Sequence, residues 1–385
     1  MSRLLRDTVL EIDLDCIEYN MKNIKDMVGE DVAVAAVVKA NGYGHGARGI
    51  SEVLIENGVE YLAVATLNEA MEIKRELPMA KVFIMGHTPD HLLQHVVEND
   101  LTQCIFTLEQ GEILADLGKE TGKKPVVHIK YDTGFNRLGF VHGKGSLEEI
   151  KKICSLENIN VEGIFSHLAL TGPEENMIQH EKLTWAISEL AREGIGFKFR
   201  HIEDSIAAVD YPQYRLNMIR PGAIIYGIKG CRLNELSLRQ ALRFKSRLSH
   251  VKQVKIGEGV SYDFLWKAEK DSVIGTVPFG YGDGYPRNLR DGGYVVIEGK
   301  KAPIVGVICM DQCMVDITHI REAKPGSECI IYSDGSDGAM TISEAASLSG
   351  TNKNDIVTGI SLRVPRIYTR SGDVKRVIDY TQELR

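Results

Sequence analysis

Two kinds of signal are missing from this 385-residue sequence, and each absence excludes a class of protein. No run of 18 apolar residues occurs, which excludes an ordinary transmembrane helix. The opening residues, MSRLLRDTVLEIDL, lack the continuous apolar core of a secretion signal. We therefore expect an untargeted, soluble, cytoplasmic protein that has no membrane partner.

Basic clusters and paired cysteines are missing as well. The chain has 46 Lys and Arg residues against 53 Asp and Glu residues, a net charge of -7, and no basic block that could follow a phosphate backbone. We therefore expect no nucleic-acid partner. No C-x-x-C pair occurs, so we expect reduced thiols and no zinc or other metal site. The cysteines are scattered along the chain at Cys16, Cys104, Cys154, Cys231, Cys309, Cys313 and Cys329.

The first 240 residues alternate apolar, β-branched runs with amphipathic helical stretches such as GARGISEVLIENG and HEKLTWAISELAREG. Continuous apolar strands separated by helices predict parallel strands buried on both faces. Eight such units fit an α/β fold of the (β/α)8 TIM-like barrel class, with an open doubly wound sheet as the alternative. The eight runs are residues 32–40, 61–66, 81–86, 103–107, 126–133, 161–167, 197–205 and 218–227.

The pattern changes near residue 240. SVIGTVPFG, GYVVIEG, APIVGVICM, CMVDITHI and ECIIYS are short strands separated by Gly, Pro and Asp turns, with one helix candidate at TISEAASLSG. Because 385 residues exceed the usual size of one core, we expect two domains: a barrel over 1–240 and a mainly β C-terminal domain over 241–385. The N-terminal strand 8–14 is expected to associate with the second domain.

Polar residues close several of these strands or, in the eighth, lie along it, and a barrel of this kind places its chemistry where strands end. They are Lys39, Lys130 with Arg137 beyond it, His167, Asp204, Ser205, Arg220 and Gly222. A hydroxyl and glycine-flanked amides suit a phosphate. A desolvated lysine among other cations becomes a nucleophile towards carbonyls. Phosphate and aldehyde together indicate pyridoxal 5'-phosphate, although sugar-phosphate aldolases combine the same two features.

One stretch, AVVKANGYGHG, resembles the cofactor-lysine signature of the alanine racemases, which are pyridoxal-phosphate enzymes with a barrel and a β domain. The resemblance continues through KYDTGFNRLGF, IFSHLAL, RLNMIRPGAIIYGI, GEGVSY, PFGYGDGYPR, GVICMDQCMVDI and RVPRIY. It implies a homodimeric isomerase that interconverts L- and D-alanine with two catalytic bases. Lys39 would bind the cofactor and serve one face of the substrate Cα, and Tyr262 from the partner chain would serve the other.

The same resemblance assigns the remaining site residues. Arg220 would face the pyridine nitrogen, with His167 orienting it, and Arg137 would contact the substrate carboxylate. Lys130 matches a lysine that the family often carries as a carbamate; the plainer alternative is a rim charge paired with Asp132. The phosphate would be held by Tyr43, Ser205, Gly222 and Ala223, and the partner-borne entrance and carboxylate pocket would include Tyr285, Met310 and Asp311.

This sequence also departs from the family pattern. Asn354 stands where the family usually has a pocket-narrowing tyrosine, Asp204 replaces an asparagine, and Asp263 follows Tyr262 where glycine is common. A smaller residue and an added charge predict a pocket able to admit serine or a basic amino acid. Two other functions stay open: a fold-related amino-acid decarboxylase, which would pair the pyridine nitrogen with an acid, and a barrel-only, non-catalytic pyridoxal-phosphate carrier.

Overall fold

The computed structural model describes residues 4–230 and 236–382, and Cys231 lies outside these ranges. The strands are β1 (Val9–Asp13), β2 (Ala33–Val37), β3 (Tyr61–Val64), β4 (Val82–Ile84), β5 (Thr102–Ile105), β6 (Val126–Asp132), β7 (Phe140–Val141), β8 (Asn160–Phe165), β9 (Phe199–His201), β10 (Met218–Ile219), β11 (Leu242–Arg247), β12 (His250–Val254), β13 (Gly259–Val260), β14 (Trp266–Lys267), β15 (Ser272–Val277), β16 (Tyr294–Ile297), β17 (Lys300–Pro303), β18 (Cys313–Asp316), β19 (Glu328–Tyr332), β20 (Arg366–Arg370) and β21 (Asp373–Ile378). The helices are α1 (Leu14–Val28), α2 (Lys39–Tyr43), α3 (Ala47–Glu56), α4 (Leu67–Glu76), α5 (Leu93–Glu98), α6 (Leu108–Thr121), α7 (Lys144–Cys154), α8 (Pro173–Arg192), α9 (Ser205–Asp210), α10 (Ile342–Ser349) and α11 (Lys353–Thr358).

Eight parallel strands form a nearly closed barrel in the order β10-β2-β3-β4-β5-β6-β8-β9, and helices follow most of them along the chain. The predicted TIM-like barrel is therefore confirmed, and the open doubly wound sheet was the wrong alternative. The two end strands, β9 and β10, share no ladder among the described residues. Single hydrogen bonds join them instead: Arg220 N donates to Glu203 O (3.1 Å), and the Asn217 side chain accepts from Arg200 N (2.7 Å).

Inward-facing side chains fill the barrel with aromatic rings. Tyr61, Phe83, Phe165 and Phe199 belong to one buried cluster. His201 stacks on Phe165 with ring centroids 4.7 Å apart. A strand turns alternate side chains to opposite faces, so His201 and Phe199 point into the barrel together. The interior is a packed core, and the chemistry must therefore lie at one end of it.

Most predicted strands are shorter in the structure than in the sequence pattern, and three of them illustrate the difference. The run 218–227 is a strand only at Met218–Ile219, because Pro221 has no N–H to donate and fixes its φ angle. The run 32–40 ends at Val37, and Lys39 follows in a tight turn. APIVGVICM is a strand only through Pro303, with one isolated bridge at Ile304.

The C-terminal domain is mainly β, as predicted. Its main sheet has the order β17-β16-β19-β11-β1-β20-β21, and smaller sheets are β12-β15-β18 and β13-β14. Strand β1 pairs antiparallel with β11 and parallel with β20, so the start of the chain lies in the middle of this sheet. Directly after β1, the Asp13 carboxylate caps α1 by accepting from Asp15 N (2.9 Å), and α1 returns the chain to the barrel.

Neither a membrane span nor a metal cluster occurs in the parts of the chain that the structure describes. No described helix has both the length and the apolar character needed to cross a bilayer. No group of three or more His, Cys, Asp or Glu residues within 4–230 and 236–382 is arranged to hold a metal ion.

Candidate active site

A cavity of about 910 Å³ opens at the carboxyl ends of the barrel strands. Most of the residues predicted from the barrel sequence meet here: Lys39, Tyr43, Lys130, Arg137, His167, Asp204, Ser205, Arg220, Gly222 and Ala223. Its outer wall comes from the C-terminal domain and includes Asn354. The predicted residues thus bring four cationic side chains and one carboxylate to the same cavity.

Lys39 begins a left-handed turn, which was not predicted. Ala40, Asn41 and Gly42 have φ angles of 51°, 52° and 61°, and Tyr43 has a φ angle of 51°. Left-handed backbone costs a non-glycine residue about 1–2 kcal/mol, so three such residues within one turn must be held by their surroundings. The Glu69 carboxylate supplies one support by accepting from Ala40 N (2.6 Å).

The amine of Lys39 is chemically activated by its position. Burial is the largest cause that lowers the pKa of this amine, and the nearby Arg137 guanidinium lowers it further. Glu69 acts in the opposite direction. A lowered pKa increases the fraction of neutral amine near neutral pH, which is the form that attacks a carbonyl or accepts a proton.

Arg220 is a buried cation held by imidazoles and main-chain oxygens. Its guanidinium donates to His201 Nδ1 (2.7 Å), Ser166 O (2.9 Å), Ile202 O (3.1 Å) and His167 Nδ1 (3.3 Å). Burial lowers the pKa of Arg220 to about 10, so the side chain stays protonated near neutrality. Burial and the Arg220 charge lower the pKa of His167 to about 2, so this imidazole is neutral and accepts.

His201 extends the contacts of Arg220 into the barrel core. Burial holds its pKa well below the usual range, so the ring is neutral. Because Nδ1 accepts from Arg220, the proton is on Nε2, which faces His128 Nδ1 at 2.9 Å. The His128 Nε2 atom lies 3.6 Å from the Glu162 carboxylate. His201, His128 and Glu162 thus form a chain of polar contacts inside the barrel that orients the Arg220 guanidinium.

Lys130 is buried and is not a rim charge. It is 5% exposed, and its Nζ has no hydrogen-bond partner within the described residues. The alternative pairing with Asp132 is wrong, because the Asp132 carboxylate instead accepts from Gly134 N (2.9 Å) and Asn136 N (3.2 Å). Burial, followed by the charge of Arg220, lowers the pKa of Lys130 to about 8.

Another group of residues in the cavity has the chemistry of a phosphate site. Ser205 Oγ accepts from Gly222 N (2.8 Å), and its own hydroxyl proton remains free to donate. Gly222 is close to the Tyr43 hydroxyl: a Cβ atom at this glycine would lie 2.6 Å from Tyr43 Oη. Burial raises the pKa of Tyr43 to about 12, which keeps the phenol a donor. A nucleophilic amine and a set of neutral donors in the same cavity fit a phosphorylated aldehyde.

Two of the three departures from the family pattern, Asp204 and Asn354, border the cavity. Asp204 caps α9 by accepting from Ile206 N (3.0 Å) and Ala207 N (2.9 Å) through one carboxylate oxygen. Asn354 lies in α11 on the outer wall. Asp263 does not line the cavity and has a left-handed φ of 58°.

The predicted residues of the C-terminal domain do not reach this cavity within one chain. Tyr262 is 66% exposed and Met310 is 52% exposed. Asp311 pairs with Arg363 (2.8 Å) on the same domain. Tyr262, Phe264 and Leu265 together expose a cluster of large apolar side chains, which is a common property of surfaces that bind another protein.

Tyr285 does not fit the predicted entrance position. It is 1% exposed, stacks on Tyr332 with centroids 5.6 Å apart and contacts the edge of Phe279, so it is a core residue of the C-terminal domain. The same glycine-rich segment exposes Tyr281 instead, whose N–H donates to Cys309 O (3.1 Å) next to Met310. Because GYGDGYP contains two tyrosines, the sequence pattern alone could not separate them.

Sequence reasoning also missed His201, His128 and Glu69. His201 lies inside the predicted strand 197–205, and we considered only residues at strand ends. The available signal was the alternation of side chains along a strand. His201 is two residues from Phe199, so both side chains point to the same inward face. For Glu69, the signal was the pattern TLNE, in which Thr66 and Glu69 form a capping box.

Comparisons with known proteins agree with this geometry. The family model described as alanine racemase, N-terminal domain, matches residues 12–230, and the model of the alanine racemase C-terminal domain matches residues 241–368. The alanine racemase of Clostridium tetani is 38% identical, over 99% of this chain and 100% of the relative. The solved alanine racemase of Clostridium difficile superimposes with a TM-score of 0.94 at 33% identity, covering 98% of this chain and 100% of that chain. The chain belongs to the alanine racemase family.

Proposed function

We propose that this protein is an alanine racemase that uses pyridoxal 5'-phosphate to interconvert L- and D-alanine. The observation that carries the proposal is the position of Lys39, an amine of lowered pKa that shares one cavity with Arg220 and with the donors of Tyr43 and Ser205. A barrel-only carrier of the cofactor would not need the C-terminal domain. A decarboxylase would need an acid in the position of Arg220.

Each residue of the cavity has a separate role in this reaction. The cofactor supplies an electron-withdrawing ring that makes the substrate Cα–H acidic. Lys39 would hold the cofactor at its carbonyl carbon and would accept or return a proton at the substrate Cα. Tyr43, Ser205 and the amides near Gly222 would hold the phosphate. Arg220, which keeps its own proton, would face the ring nitrogen as a hydrogen-bond donor and would not transfer its proton.

Racemisation needs a second acid–base group on the opposite face of Cα, because a proton leaves one face and returns on the other. We assign this role to Tyr262 of a second copy of the chain, since Tyr262 is exposed and does not line the cavity of its own barrel. Met310, Asp311 and Tyr281 would line the entrance from the same partner domain. The protein would thus be a cytoplasmic homodimer whose domains divide near residue 240, with strand β1 belonging to the second domain.

One charged group would bind the substrate carboxylate, and a second would hold the first in place. We assign Arg137, which is exposed at the cavity rim, to this contact. A carbamate on Lys130 would change the buried amine to an anion and hold the Arg137 guanidinium by charge attraction. The buried Lys130 Nζ, which has no hydrogen-bond partner among the described residues, supports this modification.

Alanine is the substrate that the family favours, and serine or a basic amino acid is not favoured. A solved alanine racemase of Clostridium difficile, 32% identical with a TM-score of 0.92, is a complex with cycloserine. We infer that the product D-alanine serves D-amino-acid biosynthesis. The smaller Asn354 side chain makes serine the most informative comparison substrate in a turnover assay.

The proposal is tested by incubating the purified protein with L-alanine and measuring D-alanine and carbon dioxide. We expect D-alanine without carbon dioxide, and faster turnover of alanine than of serine or lysine. Lys39→Ala is expected to lose covalent cofactor, seen as loss of the borohydride-fixable label, together with all racemisation. The exposed-lysine variant Lys152→Ala should keep both. Carbon dioxide release, or full activity in Lys39→Ala, would refute the proposal.

A further inference from the structure

A single buried arginine joins the C-terminal domain to the turn that carries Lys39. Arg366 is the first residue of β20 and has 0% exposure. On the barrel side, its guanidinium donates from two nitrogens to Gly44 O, each at 3.2 Å. Its other donors bind Val364 O (2.6 Å), Ser361 O (2.8 Å) and Ile360 O (3.1 Å). Among the described residues, every hydrogen-bond acceptor of this cation is a main-chain oxygen.

Two tyrosines of the same domain hold the residues on either side of Gly44. The Tyr368 hydroxyl donates to His45 O (3.1 Å) and lies 3.4 Å from Gly46 O. The Tyr380 hydroxyl donates to Asn41 Oδ1 (3.0 Å), which also accepts from Ala47 N. Tyr368 is fully buried. Its hydroxyl therefore acts in a region from which water is excluded, where a hydrogen bond is costly to lose.

The packing between the domains is close enough to require glycine. A Cβ atom at Gly44 would lie 2.0 Å from Val357 O, and one at Gly46 would lie 1.8 Å from Tyr368 Oη. Both glycines have positive φ angles, 80° and 91°. The left-handed turn is thus enclosed by the C-terminal domain of its own chain and cannot relax away from it.

We propose that Arg366, Tyr368 and Tyr380, here called the clamp, are positioning residues that hold the strained turn and thereby aim Lys39 and Tyr43 into the cavity. The proposal rests on the proposed function of Lys39. It gives the C-terminal domain two roles, because the domain supplies Tyr262 to the partner and also fixes the cofactor lysine of its own barrel. None of the three clamp residues lines the cavity, so the clamp acts through residues 40–46.

Removing single hydroxyls tests the clamp. We compare Tyr368→Phe, Tyr380→Phe and the double variant with the full-length wild type, by hydrogen–deuterium exchange with and without pyridoxal 5'-phosphate. Amides of residues 39–47 should exchange roughly fivefold to tenfold faster for each lost bond, while the barrel strands keep their protection. The dissociation constant for the cofactor should rise by a similar factor, and kcat should fall while KM for alanine stays within about twofold.

The matched control is Tyr332→Phe. Tyr332 is a buried tyrosine of the same domain, and its hydroxyl has no hydrogen-bond partner within the described residues. This variant should leave the exchange, cofactor affinity and kcat unchanged. Arg366→Lys keeps the charge and should retain more cofactor affinity than Arg366→Met. If neither arginine variant folds, the tyrosine variants still decide the question.

Three results would overturn the proposal. They are unchanged exchange at residues 39–47 in the double variant, exchange that accelerates equally throughout the barrel, and an equal effect of Tyr332→Phe. Failure of the proposed function is distinguishable, because it would show as Lys39→Ala retaining covalent cofactor. The exchange rates of the turn in the clamp variants do not depend on that result.

Discussion

At the scale of single residues, burial lowers the pKa values of the cationic side chains on which the site depends. Lys39 and Lys130 are both desolvated next to arginines, which lowers the pKa of each amine. Arg220 is buried as well, yet it keeps its proton, because its pKa falls only to about 10. Burial therefore activates the lysines and leaves the arginine as a fixed donor.

Lys130 offers a direct chemical test at this scale. Its pKa of about 8 leaves a substantial neutral fraction near that pH, and only a neutral amine adds carbon dioxide to form a carbamate. We expect carbonyl ¹³C NMR of protein equilibrated with ¹³C-bicarbonate at about pH 8 to show one carbamate signal per chain. Lys130→Arg should abolish the signal, and the exposed-lysine variant Lys198→Arg should keep it. A signal that survives in Lys130→Arg would rule out this assignment.

The residue types at the site could largely be predicted from the sequence, since each stands where an apolar run ends. Their partners could not. His201 was hidden because nothing in a single strand shows which inward residue meets Arg220, 19 positions later. Tyr285 and Tyr281 lie in one glycine-rich segment, and only packing decides that the first is buried and the second exposed.

At the scale of elements, the strand count and order of the barrel followed from the alternation of apolar runs and helices, whereas the C-terminal domain has more strands than the five predicted. The positions at which strands end did not follow from the sequence pattern. Pro221 and the turn after Val37 replace hydrogen bonds between strands with local hydrogen bonds. The left-handed conformation of Ala40 and Tyr43 has no local sequence signal, whereas Asn41 stands before Gly42 in a pair that is typical of turns. The turn depends on contacts from residues more than 300 positions away in the chain, such as Tyr380 with Asn41.

A pair of glycine substitutions measures how closely the domains enclose that turn. Gly44 and Gly122 both have left-handed backbone, with φ angles of +80° and +68°, but a Cβ meets Val357 O at 2.0 Å in the first case and nothing within 4 Å in the second. We expect Gly122→Ala to lower the free energy of unfolding by about 1 kcal/mol, from backbone strain alone. Gly44→Ala should cost about 3 kcal/mol or more.

Urea unfolding of both variants provides the measurement, and cofactor affinity provides a second one. Gly44→Ala should also bind pyridoxal 5'-phosphate more weakly, whereas Gly122→Ala should bind it as the wild type does. Equal destabilisation by the two substitutions would show that the contact between the domains is looser than described.

At the scale of the whole molecule, the buried histidines predict how stability depends on pH. Burial lowers the pKa of His45 to about 4 and of His167 to about 2, and it also lowers those of His128 and His201. Below about pH 6.5 the unfolded chain therefore binds more protons than the folded one, and the free energy of unfolding decreases as the pH is lowered. His45 alone should account for a loss of about 2 kcal/mol between pH 7 and pH 5.

One group acts in the opposite direction. Burial raises the pKa of Glu203 to about 8, so its contribution to stability is complete below about pH 4.5 and is lost as the pH rises through 8. Urea unfolding should show that the free energy of unfolding of the wild type is lower at pH 5 than at pH 7. The loss should be about 2 kcal/mol smaller in His45→Gln. An identical loss in His45→Gln would contradict the assignment to His45.

The central claim concerns two chains: Lys39 of one barrel works with Tyr262 of the partner. The most direct measurement mixes two inactive variants, Lys39→Ala and Tyr262→Phe, in equal amounts after unfolding and refolding them together. Half of the dimers formed at random are mixed, and each mixed dimer contains one intact site. Racemisation of alanine should therefore return to about a quarter of the wild-type activity. A mixture that forms mixed dimers and stays as inactive as either parent would contradict the shared site.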